Sequence, residues 1–106
     1  MIKEIEYSPE AVKDLQGIDE YISVELDNAQ SAERIVDDII RKIDMLSELP
    51  ELGASLSSRV DVKTDYRYLV CGNYNVFYRI EIDKVKIVRV LNARRNFMAI
   101  LFGMDY

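Results

Sequence analysis

The stretch that decides the fold runs from Tyr66 to Phe97 and reads YRYLVCGNYNVFYRIEIDKVKIVRVLNARRNF. It contains three apolar runs rich in Val, Ile, Tyr and Phe, which are residue types that favour the pleated surface of a β-sheet. Short polar pairs, Gly72-Asn73 and Asp83-Lys84, separate the runs, and such pairs are typical of two-residue hairpin loops that require positive φ angles. The stretch therefore predicts three antiparallel strands joined by tight turns and followed by an arginine pair, Arg94-Arg95.

With these pairs as the loops, the strand register divides the sheet into two faces. We predict that one face packs against helices and forms the core: Leu69, Cys71, Val76, Ile80, Ile82, Val85, Ile87 and Leu91. The other face mixes aromatic, polar and apolar side chains: Tyr66, Tyr68, Val70, Asn75, Phe77, Arg79, Glu81, Lys86, Val88, Val90 and Asn92. We interpret this second face as a binding surface. The alternative is that the last segment of the chain folds over it.

The first half of the chain predicts one strand and a helical hairpin. Ile2–Tyr7 alternates between apolar and charged residues and indicates a strand at or near a sheet edge. Ser8-Pro9-Glu10 is a strong helix start, and the apolar face that follows runs to about Leu26. A second apolar stripe extends from Ala32 to Leu49, where Pro50 ends it. Two helices joined by a very short loop are typical of an antiparallel αα-hairpin.

Residues 50–65 lack periodicity, so we interpret them as a loop that crosses from the helices to the sheet. The apolar tail after Phe97 predicts a short helix or a packing arm. The fold class is therefore α+β, with the order β-α-α-β-β-β and the helical hairpin packed on a twisted antiparallel sheet. A chain of 106 residues forms a single domain, residues 1–106.

Composition excludes several kinds of chemistry. The chain has no histidine, which rules out Ser-His and Cys-His nucleophile pairs, a histidine general base and a His-ligated metal. Its only cysteine, Cys71, cannot form an internal disulfide and is interpreted as a buried hydrophobe. No apolar run is long enough to span a membrane, and the N-terminal residues do not resemble a signal peptide. We expect a cytoplasmic protein without cofactor or metal.

Charge is distributed unevenly along the chain. Residues 1–53 contain 5 Lys+Arg against 14 Asp+Glu, a net −9, and residues 54–106 contain 9 against 5, a net +4, which sum to −5. The plain interpretation is two solvated faces that offset one another. The sharper interpretation is that the C-terminal half offers a basic patch to an anionic partner. Arg94 and Arg95 suit that role, since guanidinium groups bind phosphate or carboxylate through two hydrogen bonds; an exposed or salt-bridged pair is the alternative.

Two motifs resemble a known family. The element order, together with Y-R-x-L-V-x-x-N-Y-x-V-F-Y-R-I and V-x-I-V-R-V-L-N-A-R-R-N-F, resembles the RelE/ParE superfamily of small bacterial toxins from type II toxin–antitoxin systems. The resemblance implies a partner antitoxin that wraps and neutralises the toxin, in a heterotetramer or a larger complex. It also implies one of two targets. RelE-like members cut mRNA in the ribosomal A site with Lys, Arg and often a C-terminal Tyr, whereas ParE-like members inhibit DNA gyrase and are not nucleases.

Most ribonuclease positions of the RelE-like members are changed in this chain. Arg67 can stand for the first basic residue of the strand after the loop, but Leu69 lies where a Lys is expected. Asn75 lies where an Arg is usual, and Phe97 or an aliphatic neighbour takes the place of the C-terminal Tyr. Only the pair Arg94-Arg95 can supply the Arg after the last strand. Tyr106 lies beyond the region of resemblance.

We therefore predict a ParE-like toxin that inhibits growth through a gyrase-type target. One alternative is a ribosome-dependent mRNA endoribonuclease with a reduced arginine-based site, whose catalytic candidates are Arg67, Arg94 and Arg95. The other is a degenerate, non-toxic module that still binds an antitoxin. The candidates for contact with a target or nucleic acid are Arg59, Lys63, Tyr68, Asn75, Phe77 and Arg79.

Overall fold

A computed structural model describes residues 2–104 of the chain. Its strands are β1 (Glu4–Tyr7), β2 (Ala54–Ser55), β3 (Arg67–Cys71), β4 (Tyr74–Ile80) and β5 (Lys84–Asn92). Its helices are α1 (Pro9–Glu20), α2 (Ala29–Met45) and α3 (Phe97–Phe102). Short helical turns extend α1 and flank β2: a π-helical turn at Tyr21–Glu25 and 3-10 turns at Pro50–Leu52 and Leu56–Ser58. Within residues 2–104, no helix is both long and apolar enough to cross a bilayer.

The strands form one sheet in the order β1-β5-β4-β3-β2, and the predicted α+β fold is confirmed. Two details differ from the sequence prediction. β1 lies at the sheet edge, as predicted, but it pairs parallel with β5, from Glu4↔Lys84 to Tyr7↔Ile87. Parallel pairing is feasible because helices and three strands, rather than a hairpin, connect β1 to β5. The crossing loop also contains β2, which pairs antiparallel with β3.

Capping residues start both long helices. The Ser8 hydroxyl accepts the Ala11 N–H (2.9 Å) and donates to the Val88 carbonyl of β5 (2.7 Å). The Asn28 side chain accepts the Ser31 N–H at 3.0 Å. Both contacts satisfy backbone donors that a helix N-terminus leaves without an intrahelical partner. The two helices then bury their apolar stripes against the sheet in the main core: Ala11, Ile18, Ile22, Ala32, Ile39, Ile43, Leu46, Leu69, Cys71, Val76, Tyr78, Val85, Ile87 and Val90.

The first predicted turn is confirmed and the second is wrong by one residue. Gly72 adopts a positive φ of 60°, and Cys71 lies opposite Tyr74 as predicted. In the second hairpin the Glu81 N–H donates to the Lys84 carbonyl at 2.8 Å, so the loop residues are Ile82-Asp83. Ile82 is therefore 96% exposed rather than part of the core. Lys84 belongs to β5 instead, where its ammonium lies 3.0 Å from Glu6 of β1 and lowers the pKa of that carboxyl.

A bulge in β5 overturns a second part of the predicted register. The pairing of β4 with β5 shifts between Phe77 and Tyr78, where β5 carries one extra residue, Val88. A bulge changes which side chains beyond it point to each face of the sheet. Val90 accordingly lies in the main core, and Leu91 lies on the opposite face, the reverse of the prediction.

Besides the bond from the Ser8 hydroxyl to the Val88 carbonyl, one carboxylate fixes the bulge to α1. Asp14 accepts hydrogen bonds from Arg89 Nε (2.7 Å) and Nη2 (2.8 Å), and it also accepts the Val90 N–H at 2.9 Å. The Asp14 side chain is only 13% exposed and that of Arg89 24% exposed. Hydrogen bonding to Asp14 raises the pKa of Arg89, so the guanidinium stays charged.

The second face of the sheet is covered by α3. The Phe97 ring lies 5.3 Å from that of Phe77, and the Phe102 ring lies 5.7 Å from that of Tyr66 (centroid distances). Together with Leu56 and Leu91, Phe77 forms a small second core. The interpretation that the last segment folds over this face is the one observed, and the interpretation of the whole face as an open binding surface is wrong.

We expect Asp14→Asn to lower the free energy of unfolding by about 2–3 kcal/mol, because Arg89 would lose its counter-charge in a partly buried site. Urea denaturation of both proteins measures the difference. The control is Asp38→Asn, whose carboxylate lies 3.8 Å from Arg41 in a pair with side chains 63% and 76% exposed. We expect less than about 0.5 kcal/mol for the control. Equal losses for the two variants would contradict the anchoring role of Asp14.

Candidate functional site

The candidate residues lie in separate parts of the second face and at one end of the sheet. Arg59 follows the 3-10 turn after β2, and its guanidinium carbon lies 5.1 Å from the Tyr68 ring centroid and 5.4 Å from that of Phe97. A guanidinium at these distances is attracted to the negative face of the ring. Arg59, Tyr68 and Phe97 thus form a cationic and aromatic cluster at the margin of α3.

Lys63 and Arg79 border a shallow depression beside α3. The depression has a volume of about 520 Å³ and is lined also by Thr64, Asp65, Tyr66 and Phe102. Arg79 lies 3.2 Å from Glu81 and 4.0 Å from Asp65, so carboxylates offset its charge. Lys63 is exposed, which leaves it as the more accessible cation of the two.

Arg67 holds the crossing loop to the sheet. Its Nη2 donates to the carbonyls of Gly53 (2.6 Å) and Glu51 (3.3 Å). Beside it the Tyr78 hydroxyl donates to the Pro50 carbonyl (2.7 Å) and accepts the Gly53 N–H (2.9 Å). Nη2 of Arg67 is thus bonded to two backbone carbonyls of this chain, while its buried Nε has no hydrogen-bond partner within residues 2–104.

Arg94 and Arg95 occupy the turn that leaves β5. The Arg94 N–H donates to the Asn92 side chain at 2.9 Å, and the Ala93 N–H ties the turn to the β3–β4 hairpin through the Asn73 carbonyl at 2.8 Å. Both arginines are exposed, and within residues 2–104 neither forms an ion pair. This turn therefore presents two cations on a fixed backbone.

Arg94 also borders a cleft of about 530 Å³ between this turn and the tip of the helical hairpin. The cleft combines aromatic, aliphatic and amide side chains: Tyr21, Ile22, Leu26, Asn73, Tyr74 and Asn92. Neither Tyr21 nor Leu26 was predicted from the sequence to be near the arginines. The spacing of apolar residues predicts one face of a helix. It does not predict which end of the sheet that face contacts.

Two of the predicted contact residues do not reach solvent. Phe77 is fully buried beneath α3, and Asn75 is only 5% exposed. Leu69, at the position where the resemblance expects a Lys, is buried on the helical side of the sheet. Tyr106 lies outside the described residues.

Cys71 behaves as the sequence predicted. It is buried in the main core, and burial raises the pKa of its thiol. A raised pKa keeps the thiol protonated and unreactive at neutral pH. Among residues 2–104, no three Cys, Asp or Glu side chains are grouped as ligands for a metal ion.

Comparison with known families identifies the fold with a class of toxins. The family described as "ParE toxin of type II toxin-antitoxin system, parDE" matches residues 5–97. The chain belongs to the ParE toxin family. The match extends from β1 to the first residue of α3, so the resemblance noted from the sequence is confirmed. A comparison with curated protein sequences found no match.

Solved structures share this ParE fold at low sequence identity. The chromosomal ParDE system from P. aeruginosa matches with a TM-score of 0.72 and 22% identity over 86% of this chain and 96% of that one. The RelBE2 complex from Mycobacterium tuberculosis matches with a TM-score of 0.63 and 18% identity, over 87% and 99% of the two chains. The E. coli DinJ-YafQ complex gives 0.53 and 17%, over 97% and 100%.

We expect opposite effects from alanine at two glycines. A Cβ at Gly53 would lie 2.5 Å from the Tyr68 carbonyl oxygen and 2.7 Å from the Tyr78 hydroxyl, whereas a Cβ at Gly17 would meet no atom within 4 Å. Gly53→Ala should lower the free energy of unfolding by about 2 kcal/mol. Gly17→Ala, inside α1, should raise it by about 0.5–1 kcal/mol. Thermal and urea unfolding measure both; an unchanged stability of Gly53→Ala would show that the loop contact is loose.

Proposed function

We propose that this ParE-family protein is a growth-inhibiting toxin that acts by binding a gyrase-type protein target and is neutralised by a cognate antitoxin. Family membership supports the toxin role. An antitoxin partner is supported by the similar solved structures, which are described as toxin–antitoxin systems or complexes. The proposed assembly is a heterotetramer or a larger complex in the cytoplasm, where either target of such toxins resides.

One observation carries the preference for binding over RNA cleavage: the guanidinium of Arg67 is hydrogen-bonded to the carbonyls of Gly53 and Glu51. Cleavage of RNA needs a group that activates the 2′-hydroxyl and cations that stabilise the phosphorane. Leu69 and Phe97, at the other positions of the resemblance, carry no amine or hydroxyl that could move a proton. The remaining positions therefore favour recognition over catalysis.

The exposed arginine side chains are the groups available to bind a protein target. Arg94 and Arg95 extend from a turn whose backbone is hydrogen-bonded to the sheet. The backbone therefore loses little conformational entropy when the arginines bind a partner. Arg59 lies against two aromatic rings, and arginine and tyrosine are enriched among the residues that contribute most to protein interfaces. These groups suit an acidic surface of a protein target.

A ribosome-dependent mRNA endoribonuclease is the second candidate. The exposed pair Arg94-Arg95 favours it, since two guanidinium groups can hold a phosphate and stabilise charge that develops on it. A third candidate is a module that binds its antitoxin without toxicity. Growth and target assays separate all three.

Expression of the protein alone in a bacterium should arrest growth, and co-expression of the neighbouring small gene should restore it. Arg94→Ala/Arg95→Ala should relieve the arrest, because the proposed target contact would lose two cations. The control is Arg34→Ala/Arg41→Ala, which removes the same charge from the exposed face of α2. Colony counts and immunoblots measure survival and protein level. Unimpaired growth with abundant wild-type protein would favour the non-toxic module.

The target is decided by two assays on the arrested cells and the purified protein. We expect inhibition of DNA supercoiling by purified gyrase, with loss of inhibition in Arg94→Ala/Arg95→Ala and retention in Arg34→Ala/Arg41→Ala. Primer extension on translated mRNA should show no new cuts. Discrete cuts that depend on Arg94 and Arg95, with normal supercoiling, would replace the gyrase proposal by the ribonuclease.

A further inference from the structure

We propose a second protein-binding surface at the end of the sheet opposite Arg94-Arg95: an aliphatic groove with an acidic rim, which fits a basic amphipathic helix of a partner protein. The β4–β5 turn, Ile82-Asp83, marks this end, whereas the arginine turn lies beside the β3–β4 hairpin at the other end of β4. The inference does not depend on the toxin's target.

Large aliphatic side chains line a groove at this end, where Leu49 and Leu52 are exposed and Ile80 is half-buried. A groove of about 510 Å³ is lined by Leu49, Leu52 and Ile80. Leu49 is 53% exposed and Leu52 44% exposed, and Ile2 and Ile82, the chain neighbours of Lys3 and Glu81, are 71% and 96% exposed. Scattered apolar side chains are normal on a protein surface, but a contiguous apolar patch marks an interaction site. We name the side chains of Leu49, Leu52 and Ile80 the aliphatic groove.

The backbone around the aliphatic groove is held by hydrogen bonds. The Lys3 N–H donates to the Ser47 carbonyl (2.8 Å), and the Ser47 hydroxyl donates to the Lys3 carbonyl (2.6 Å). The Lys3 ammonium donates to the carbonyls of Glu81 (2.8 Å) and Ile82 (2.6 Å). The start of the chain, the end of α2 and the β4–β5 turn are thereby joined, so a ligand meets a preformed surface.

At Lys3, beside the groove, these same bonds favour a helix over a strand as the occupant. A strand adds to a sheet by pairing with free N–H and C=O groups at an edge, but both backbone groups of Lys3 are already bonded to Ser47. An amphipathic helix needs no backbone pairing, since it binds through apolar anchors spaced three and four residues apart.

The rim of the aliphatic groove is acidic. Glu48 and Glu51 border it, both are exposed, and neither forms an ion pair within residues 2–104. The nearby Glu81 carboxylate is paired with Arg79 at 3.2 Å. Lys3 also lines the groove, and its ammonium keeps its charge while it donates to two carbonyls, so the two glutamates leave the rim with a net charge of −1. Unpaired carboxylates favour Lys or Arg on the partner and oppose both an anionic membrane and the same groove of a second copy.

The test uses a synthetic helical peptide of about 16 Leu and Lys residues, with Leu spaced for one apolar face, and the same peptide with Glu in place of Lys. Titration into ¹⁵N-labelled full-length protein should shift the amide signals of Lys3, Leu49, Leu52 and Ile82 with the Lys peptide only. Binding should weaken about tenfold in Leu49→Ser/Leu52→Ser.

Glu48→Gln/Glu51→Gln should weaken binding of the Lys peptide as well, and more strongly at low salt. The matched controls are Val12→Ser/Val24→Ser for exposed aliphatic residues and Glu33→Gln/Asp37→Gln for exposed carboxylates. They should bind as the wild type does. The amide spectrum of each free variant checks that it is folded.

Three results would overturn the proposal. The first is equal binding of the Lys peptide by the groove variants and their controls. The second is equal binding of the Glu peptide. The third is self-association of the free protein that Leu49→Ser/Leu52→Ser abolishes, measured by sedimentation, because a second copy would then be the occupant.

Discussion

The Asp14 carboxylate is the contact on which the two-sided arrangement of the sheet depends. It accepts three N–H groups, two from Arg89 and one from the backbone of Val90. Charge-assisted hydrogen bonds each contribute about 1.5–3 kcal/mol, which is large beside the marginal stability of a small domain. They hold α1 against the bulge at Val88, and the bulge sends Val90 to one core and Leu91 to the other.

Local sequence signals were sufficient where local physics decides the structure. The Ser8 cap, the apolar stripes of both helices and the Gly72 turn follow from residues only a few positions apart. The position of the second turn could not be predicted in this way, because Ile82-Asp83 and Asp83-Lys84 are both possible two-residue loops between apolar runs. The choice is made by the pairing of Lys84 with β1, which local patterns do not contain.

The same distinction applies to the candidate site. Exposure of Arg94 and Arg95 was predictable because they follow a strand that ends at a polar residue, Asn92. The hydrogen bonds of Arg67 were not predictable, since their acceptor carbonyls lie 14 and 16 residues upstream in a loop without periodicity. Burial of Phe77 depends on α3, whose docking on the second face was only one of two interpretations of an apolar tail. The strand sequences are thus sufficient to predict the ParE fold. The burial and hydrogen bonding of individual side chains depend on segments that are distant in the sequence.

The parallel pairing of β1 with β5 has a consequence for the order of folding. Glu4 at the start of β1 meets Lys84, so the edge of the sheet cannot close until the last strand has been synthesised. At about 5–20 residues per second, β1 and α1 wait several seconds on the ribosome for their partner. During that interval Asp14 is without Arg89, and the helical hairpin has no sheet to cover. Loop closure over such a separation also slows folding. A partly synthesised chain therefore lacks the closed sheet, and the fold is completed only after β5 has left the ribosome.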